Sequence, residues 1–482
     1  MTVLVWFRRD LRLGDNPALA HALSTGETIV PVFLRDDGDA GEWQPGSASR
    51  WWLHGSLQAL DADLRRRGGG GLVYRTGPAE ATIAALVQET GASAVVWNRV
   101  YEPWAMRRDS RIKAALKTAG VAAQSFNATL LCEPGSLLNK QGEPYKVFTP
   151  FWRALRATVQ TPAGQPAADR VGATPTVRSE CLEDWRLRPT RPDWASGLAA
   201  EWTPGEAGAA RRLEVFLDAA VFDYAGQRNL PARAGTSRLS PHLHFGEIGP
   251  WQVWRAATTA AQAAVGDPFP SGVETFLSEL AWREFSAHLL VHVPTLPTAA
   301  LRPEYDRVAW RDDPRALEAW RRGRTGYPIV DAGLRELWAT GWMHNRVRMI
   351  TASFLIKDLL IDWRQGAAWF WDTLVDADLA NNAASWQWVA GSGADAAPYF
   401  RVFNPVSQGQ TFDPTGAYVR RWAPELAALP DALIHAPWTA TPDQLSKAGV
   451  ALGRDYPAPI IDHAEARHRA LDAYRAVRTA DL

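Results

Sequence analysis

The first 130 residues alternate short apolar runs with longer amphipathic stretches, and this alternation restricts the fold more than any other feature of the sequence. Apolar, β-branched runs at residues 3–7, 28–34, 72–75 and 94–98 have the length of buried strands. Helical periodicity fills the intervals between these runs. Because strands that alternate with helices form a parallel sheet covered on both faces, the pattern predicts an α/β domain with a doubly wound sheet.

The pattern changes twice further along the chain. Residues 131–204 are interrupted by Pro, Gly, Ala and Thr, and they are predicted to be an interdomain linker with one helical island at 150–159. Residues 205–482 carry helical periodicity in successive segments joined by loops of ordinary length. The predicted architecture is therefore a Rossmann-like α/β domain over 1–130, a linker, and an all-α C-terminal domain.

Charge and cysteine usage limit the possible functions and locations. The 52 basic and 52 acidic residues cancel, so any nucleic-acid site must be a local basic patch. The two cysteines, Cys132 and Cys181, lack metal-ligand spacing, which predicts a reducing, cytoplasmic location with neither a disulfide framework nor a metal site. The N-terminus has the pattern of neither a signal peptide nor a membrane span, and no later apolar run reaches the roughly 18 residues that a span needs.

The 24 tryptophans form either a Trp-rich core or a set of stacking platforms and electron-transfer stations. They are densest, together with Arg, Asn and Asp, between residues 341 and 405. A helix predicted over 342–361 places Asn345, Arg348 and Met349 on one face. The segment continues with paired carboxylates, paired amides and two tryptophans, namely Asp376 and Asp378, Asn381 and Asn382, and Trp386 and Trp388.

Two motifs upstream combine groups that suit ligand binding. SELAWREF places Glu279, Trp282 and Arg283 at i, i+3 and i+4, so an acid, an aromatic ring and a cation share one helix face. A plain ion pair beside a core tryptophan would give the same spacing. GTSRLSPHLHFGEI, residues 235–248, supplies hydroxyl groups and a guanidinium suited to a diphosphate, although Ser/Thr clusters also cap helices.

The motifs WMHNRVRM, DADLANN, WQW and RVFNP resemble the flavin domain of the photolyase/cryptochrome family, and VWFRRDLRLGDN resembles the N-terminal signature of that family. The resemblance covers nearly the full chain and is closest to bacterial class I and class III photolyases that act on cyclobutane pyrimidine dimers (CPDs). It implies an all-α domain that binds FAD and an α/β domain that carries an antenna chromophore, either methenyltetrahydrofolate or 8-hydroxydeazaflavin. The flavin-contacting positions that it implies are Tyr224, Thr236, Ser237, Leu239, Ser240, Arg283, Arg348, Asp376, Asp378 and Asn382.

The resemblance also implies roles for other residues. The expected lesion pocket consists of Glu279, Trp282, Asn345, Met349 and Trp388, with Asn382 facing the flavin ring and an ion pair between Arg348 and Asp376 above it. The expected electron-transfer chain is Trp386, Trp363 and Trp310. The expected DNA phosphate contacts are Arg228, Arg346 and Arg401, and the antenna candidates are Glu102 and Trp51.

The expected function is light-driven repair of CPDs in DNA, by electron transfer from excited, reduced FAD to a dimer that is flipped out of the duplex. Two alternatives have the same fold and cofactor. A (6-4) photolyase would carry a histidine where Asn345 stands here, and a cryptochrome-type blue-light photoreceptor would carry a long polar tail after the helix predicted at 463–478. The expected partner is damaged DNA, and the protein is expected to be a monomer that does not bind membranes.

Overall fold

The computed structural model describes residues 1–36, 38–159, 161–172, 176–264, 270–395 and 401–479. The chain divides into two compact units. The first unit comprises Met1–Phe222, Ser237–Pro294 and Val375–Ala380, and the second comprises Asp223–Thr236, Thr295–Leu374 and Asn381–Leu482. The predicted limits at residues 130 and 204 mark changes in secondary structure, and as domain limits they stay a prediction.

The first unit contains a five-stranded sheet in which every pair of neighbouring strands is parallel. The strands are β1 Thr2–Phe7, β2 Thr28–Arg35, β3 Val73–Thr76, β4 Ala92–Asn98 and β5 Ala122–Phe126. Their order is β3-β2-β1-β4-β5, which confirms the predicted α/β fold class. Strand β5 was not predicted because its sequence, AAQSF, lacks an apolar run and lies at the edge of the sheet.

Strand β1 lies at the centre of the sheet. The chain first adds β2 and β3 on one side of it and then β4 and β5 on the other. Strand β1 pairs with β2 on one side and with β4 on the other. Its residues are buried on both faces, and Trp6 packs against Trp97 of β4 with ring centroids 5.8 Å apart. Ligands of open α/β sheets bind beyond the carboxyl ends of the strands at such a switch point. Residues 8–10 and 99–102 therefore mark the expected crevice.

Helices follow the strands and then dominate the chain. Those in the first 292 residues are α1 Pro17–Ser24, α2 Ser47–Arg66, α3 Ala79–Thr90, α4 Pro103–Thr118, α5 Phe148–Thr158, α6 Ser196–Glu201, α7 Glu206–Ala219, α8 Tyr224–Gln227, α9 Ser240–His244, α10 Pro250–Ala264 and α11 Ser271–His292. Those that follow are α12 Pro314–Arg321, α13 Pro328–Thr340, α14 Asn345–Ser353, α15 Trp363–Thr373, α16 Leu379–Ala390, α17 Pro405–Phe412, α18 Ala417–Trp422, α19 Asp431–Ile434, α20 Pro442–Lys447 and α21 His463–Thr479. Within the described ranges, none combines the length and apolarity required to cross a bilayer.

The segment predicted as a linker belongs to the first unit and packs against strands of its sheet. Trp185 is buried, and its ring centroid lies 5.5 Å from that of Tyr74 and 6.0 Å from that of Phe33. Helix α5 occupies the predicted helical island. Residue 160 and residues 173–175 of this segment lie outside the described residues.

The helix predicted over 342–361 is shorter than expected and has two parts. Helix α14 begins only at Asn345, because His344 caps it by accepting a hydrogen bond from the backbone N–H of Arg346. After Ser353 the backbone widens into a π-helical turn, Phe354–Asp358, and Leu360 then adopts a left-handed φ of 54°. Apolar periodicity continues through this region, so the sequence pattern alone did not reveal the two ends.

Candidate active site

The two carboxylates of the DADLANN motif are held within the first unit. Ser240 Oγ donates a hydrogen bond to Asp376 Oδ2 at 2.6 Å. Asp378 Oδ2 lies 3.4 Å from His244 Nδ1 and 4.0 Å from Arg9 Nη1. The structure therefore brings Ser240 and Asp376 together, two predicted flavin contacts that are 136 residues apart in the sequence.

The charges around Asp378 keep it ionised. Burial alone would raise its pKa, but the hydrogen bond from His244 and the positive charges of Arg9 and Arg283 outweigh burial and hold the pKa below its usual range. Burial, followed by the charge of Arg9, lowers the pKa of His244. Sequence reasoning missed both Arg9 and His244, because their partner lies far along the chain and neither stands in a pattern that signals it.

A cavity of about 50 Å³ lies beside this cluster, at the switch point of the sheet. The polar side chains that line it are Arg9, Tyr101, Glu102, Thr129, His244, Arg283 and Asp378. Glu102 precedes the first residue of α4 and is buried in an ion pair with Arg9. Trp51 is not among the described residues that line this cavity. It is buried on α2, with its ring centroid 6.4 Å from that of Trp52. No three or more His, Cys, Asp or Glu side chains among the described residues are arranged to hold a metal ion.

Helix α11 carries the predicted triplet Glu279, Trp282 and Arg283, and all three side chains are half-buried. Trp282 stacks on Phe148 with ring centroids 3.8 Å apart and an interplanar angle of 9°. Arg283 Nη1 donates to the backbone carbonyl of Thr129 at 2.6 Å. The triplet therefore follows the predicted helix, with its ring and its cation already engaged by groups of the first unit.

Arg283 also contacts a carboxylate that sequence reasoning missed. Its Nη1 lies 3.3 Å from Glu284 Oε1, and Glu284 accepts a hydrogen bond from the backbone N–H of Leu131 at 2.7 Å. Burial raises the pKa of Glu284 to about 7, against the opposing charge of Arg283. An acid directly after an arginine looks like an ordinary surface pair in sequence, and only its burial distinguishes it.

The predicted diphosphate loop has an unusual backbone on both sides of residue 236. A Cβ at Gly235 would lie 3.0 Å from the backbone oxygen of Gln227, so the close approach requires glycine. Arg238 adopts a left-handed φ of 53°, forms an ion pair with Glu201 and lies 4.6 Å above the ring of Trp202. Its guanidinium is therefore engaged within the first unit, whereas sequence reasoning had counted it among the donors for a diphosphate.

Helix α14 carries the predicted polar face of the second unit. Asn345 is exposed at its first position, and Arg348 and Met349 are half-buried. Arg348 Nε donates to the carbonyl of Met343 at 2.7 Å, and its guanidinium lies 5.8 Å from the ring of Trp342. Asp376 belongs to the first unit, and the ion pair between Arg348 and Asp376 stays a prediction.

The three arginines that were predicted to contact DNA phosphates share one electrostatic environment in the second unit. Burial lowers the pKa of Arg346, and the positive charges of Arg228 and Arg401 lower it further. Arg346 Nη2 donates to the neutral amide oxygen of Asn229 at 2.8 Å. Arg401 is exposed, and Arg228 lies 5.6 Å from the ring of Tyr224. We refer to Arg228, Arg346 and Arg401 as the arginine cluster.

The aromatic residues of the second unit extend from a buried to a partly exposed position. Trp386 and Trp363 are both 2% exposed, and Trp310 is half-buried beside Tyr474, with ring centroids 6.4 Å apart. Asn382 Nδ2 donates to the carbonyl of Ala367 at 3.0 Å. The order of exposure is that expected of a chain ending at Trp310, and the electron-transfer role stays a prediction.

Trp388 and Trp320 are two further tryptophans of the second unit. Trp388 is half-buried, whereas its neighbour Trp386 is buried, so the two rings have different surroundings as their spacing on a helix requires. Trp320 is fully buried, 6.3 Å from Trp386, and sequence reasoning missed it because it stands in no recognised motif.

Two family models match the chain. The DNA photolyase model covers residues 3–168, which include the parallel sheet, and the model of the FAD-binding domain of DNA photolyase covers residues 276–476. An α/β unit with a switch-point cavity and a mainly helical FAD-binding domain define a flavoprotein of the photolyase class.

Individual proteins extend this match over the whole chain. The chain is 50% identical to a deoxyribodipyrimidine photo-lyase of Agrobacterium fabrum, over 99% of this chain and 98% of the relative. It is 39% identical to cryptochrome-1 of Arabidopsis thaliana, over 97% of this chain and 70% of that protein. The crystal structure of a bacterial class III photolyase from Agrobacterium tumefaciens matches with a TM-score of 0.95 and 50% identity, covering 99% of this chain and 98% of the other. The chain belongs to the photolyase/cryptochrome family, which confirms the predicted family and fold.

Proposed function

We propose that this protein is a deoxyribodipyrimidine photo-lyase that repairs CPDs in DNA with the energy of light. The observation that carries the proposal is the 50% identity to a protein of that name over nearly the full length of both chains. A CPD inside a duplex is out of reach of a bound cofactor, so the damaged pair must be flipped into a pocket. Its weakened stacking and pairing make it cheaper to flip than intact bases.

The match to a known FAD-binding domain supports FAD as the cofactor. The match to an FAD-binding domain covers residues 276–476, and the hydrogen bond from Ser240 to Asp376 joins two of the proposed contact segments. The residues proposed to hold the cofactor are Tyr224, Thr236, Ser237, Leu239, Ser240, Arg283, Arg348, Asp376, Asp378 and Asn382. When bound in its reduced form, FAD would supply the photoexcited electron that opens the cyclobutane ring.

The proposed lesion contacts combine flat rings with polar groups. Trp282 is stacked on Phe148, which fixes the orientation of its ring, and Trp388 offers a second half-buried ring for stacking. Glu279 would hydrogen-bond the polar edge of the dimer, since a charge-assisted hydrogen bond is about twice as strong as a neutral one. Asn345 and Met349 would supply an amide and an adaptable apolar contact from α14. All five residues would orient the lesion and exclude water from it.

Two further roles follow for the second unit. Trp386, Trp363 and Trp310 would carry electrons from the protein surface towards the flavin site. The arginine cluster would bind the phosphates on either side of the lesion, which makes affinity fall with salt and carries no sequence information.

The antenna chromophore is proposed on the resemblance alone, as methenyltetrahydrofolate or, alternatively, 8-hydroxydeazaflavin. Glu102 and Trp51 stay the proposed antenna contacts. The Glu102 carboxylate is paired with Arg9, and it lines a cavity of about 50 Å³, smaller than the roughly 300 Å³ of ordinary ligand pockets. Absorbance and mass spectra of the chromophores released from the purified protein would identify the antenna.

The proposed function is tested with the photoreduced protein and an oligonucleotide that contains one thymine CPD. Under blue light the intact thymines should reappear, and in darkness they should not. Glu279→Gln should slow repair at least about tenfold, because the dimer loses its charged hydrogen-bond partner. Glu274→Gln is the matched control, since Glu274 lies on the same helix but forms an ion pair with Arg156 at the surface.

The photoreceptor remains the second candidate, because a plant cryptochrome matches 97% of this chain. The same assay separates the two. FAD binding without repair of a CPD or of a (6-4) photoproduct would contradict the enzyme and favour the photoreceptor. Repair of the (6-4) photoproduct alone would replace the proposed substrate.

A further inference from the structure

Lys357 occupies an unusual place in the second unit. It lies in the π-helical turn Phe354–Asp358 that continues α14, and it is only 5% exposed. Lysine is almost never fully buried unless it is paired, and π-helical turns occur frequently at functional sites. Its Nζ donates a hydrogen bond to the backbone carbonyl of Arg401, a member of the arginine cluster. A buried lysine thus supports the backbone of an exposed arginine.

The segment around Arg401 is anchored to α14 and its π-helical turn at two points. The first is the bond from Lys357 to the Arg401 carbonyl. The second is the bond from the backbone N–H of Phe403 to Ser353 Oγ at 3.4 Å. The positive charge of Arg401 also lowers the pKa of Arg346, which lies on α14. The turn that holds Lys357 therefore fixes the backbone from which the Arg401 guanidinium extends.

Lys357 is influenced by one negative and one positive neighbour, Asp358 and Arg401. Burial lowers its pKa to about 7, the carboxylate of Asp358 raises it, and the positive charge of Arg401 lowers it again. Asp358 is engaged from α21, because its Oδ1 lies 2.5 Å from His463 Nδ1 and its carbonyl accepts from Arg469 at 2.5 Å. A phosphate bound at the arginine cluster would cancel part of the positive field that disfavours the ammonium.

We propose that Lys357 is a positioning residue for the DNA contact, and that binding of a DNA phosphate at the arginine cluster is coupled to uptake of a proton at Lys357. The proposal rests on the proposed function, because it takes the arginine cluster to be the phosphate site. Before binding, the amine holds the Arg401 carbonyl in either protonation state. After binding, the ammonium is favoured, and its charge adds to that of the three arginines.

The coupling has a definite sign. Because the complex holds more protons than the free protein, affinity for DNA falls as the pH rises through the range in which Lys357 titrates. A shift of one unit in the pKa of Lys357 on binding corresponds to about a tenfold loss of affinity between the acidic and the alkaline limit. A role confined to packing would produce no such dependence.

The test measures binding of a labelled CPD oligonucleotide by fluorescence anisotropy, in darkness and at fixed salt, between about pH 6 and pH 9. The wild-type protein should lose affinity about threefold to tenfold over this range. Lys357→Arg keeps the charge at every pH used and should remove most of that dependence. Lys357→Met should bind DNA more weakly than the wild type at the acidic end of this range. Its affinity, like that of Lys357→Arg, should depend little on pH. Calorimetric titrations in two buffers of different ionisation enthalpy should show proton uptake by the wild-type protein and less by either variant.

Each outcome decides the proposal. Wild-type pH dependence and proton uptake in both variants would overturn it. If Lys357→Met does not fold, as judged by its FAD content and circular dichroism, then Lys357→Arg decides the question alone. If the wild-type protein binds and repairs the CPD oligonucleotide, and both variants match it in the pH dependence of affinity and in proton uptake, only this inference is overturned. A wild-type protein that fails to bind DNA with a salt-dependent affinity would instead overturn the proposed function.

Discussion

Partly and fully buried cations are held in two different ways in the two units of this protein. In the first unit, Arg8 Nη1 pairs with Asp109 Oδ2 at 2.7 Å, and Arg108 Nη2 pairs with Asp109 Oδ1 at 3.0 Å. In the second unit, Arg346 donates to a neutral amide oxygen and Lys357 donates to a backbone carbonyl. A carboxylate neutralises the cation that it binds, whereas a neutral acceptor orients a cation without cancelling its charge.

This difference separates a scaffold from a binding surface. Ion pairs to Asp109 link Arg8, which directly follows β1, to helix α4, so each of the two arginines there contacts a carboxylate. In the arginine cluster, burial lowers the pKa of Arg346 first, and the positive charges of Arg228 and Arg401 lower it further. A chain with 52 basic and 52 acidic residues can therefore bind DNA, because neutrality of the whole chain does not require neutrality of each surface.

The largest expected effect concerns the scaffold. Arg8→Met should lower the free energy of unfolding by about 2–3 kcal/mol, because the buried Asp109 loses one of its two cationic partners and keeps Arg108. Arg346→Met is the matched change in the second unit and should cost less than about 1 kcal/mol, since it leaves only a neutral amide without its donor. Denaturant unfolding of both variants measures the difference. Equal losses would contradict the distinction between the two kinds of cation.

The second effect concerns Lys357 and stability. Its pKa is about 7 in the folded protein and 10.5 for the unperturbed group, so between these values the folded form holds fewer protons than the unfolded form. Stability should therefore rise with pH in this window, by up to about 1.4 kcal/mol per pH unit. Lys357→Met should remove this contribution. Denaturant unfolding at several pH values tests it, and identical slopes for the variant and the wild type would show that Lys357 does not titrate there.

The third effect concerns DNA affinity. Arg346→Met should weaken binding about fivefold to tenfold and reduce the slope of log affinity against log salt by about one. Arg111→Met is the control in the first unit, because Arg111 is exposed and already lies between Asp39 and Glu80. Anisotropy titrations at several salt concentrations measure both. A loss of affinity in Arg111→Met as large as in Arg346→Met would contradict the proposal that the arginine cluster is the phosphate site.

The smallest expected effect concerns an exposed ion pair of the second unit. It tests whether burial, rather than the unit in which a pair lies, decides how much stability is lost with the pair. Arg322 and Glu318 form an exposed i,i+4 pair on the surface of the second unit. Arg322→Ala should change the free energy of unfolding by only about 0.5 kcal/mol or less, since solvent screens such pairs. A loss of unfolding free energy as large as that of Arg8→Met would show that exposed ion pairs stabilise the fold as much as buried ones.

The sequence predicted what depends on local pattern. Strands β1, β2 and β4 contain apolar runs, and β3 begins with the apolar pair Val73 and Tyr74. The helices that carry Glu279 and Asn345 follow from periodicity, so these elements were placed correctly apart from their ends. Motif resemblance then supplied the family and the cofactor. Strand β5 was missed because an edge strand needs no apolar run.

The parts that could not be predicted depend on contacts between distant segments. The pairing of Arg9 with Glu102 and the approach of His244 to Asp378 join residues that no local pattern links. Lys357 lies in an apolar helical stretch, where a single lysine is normally an exposed residue. In the structure it is buried in the π-helical turn, and its Nζ donates to the backbone carbonyl of Arg401, a contact that no local pattern signals.

Light-driven repair is tested by binding a CPD oligonucleotide in darkness and then applying a blue-light flash to the photoreduced complex. Repair by this protein predicts that the damaged strand binds more tightly than the undamaged strand, that raising the salt weakens both, and that the flash restores the two thymines. It also predicts that the strand is then released, because the repaired bases stack again in DNA. Equal affinity for damaged and undamaged strands, with no thymine restored after the flash, would contradict it.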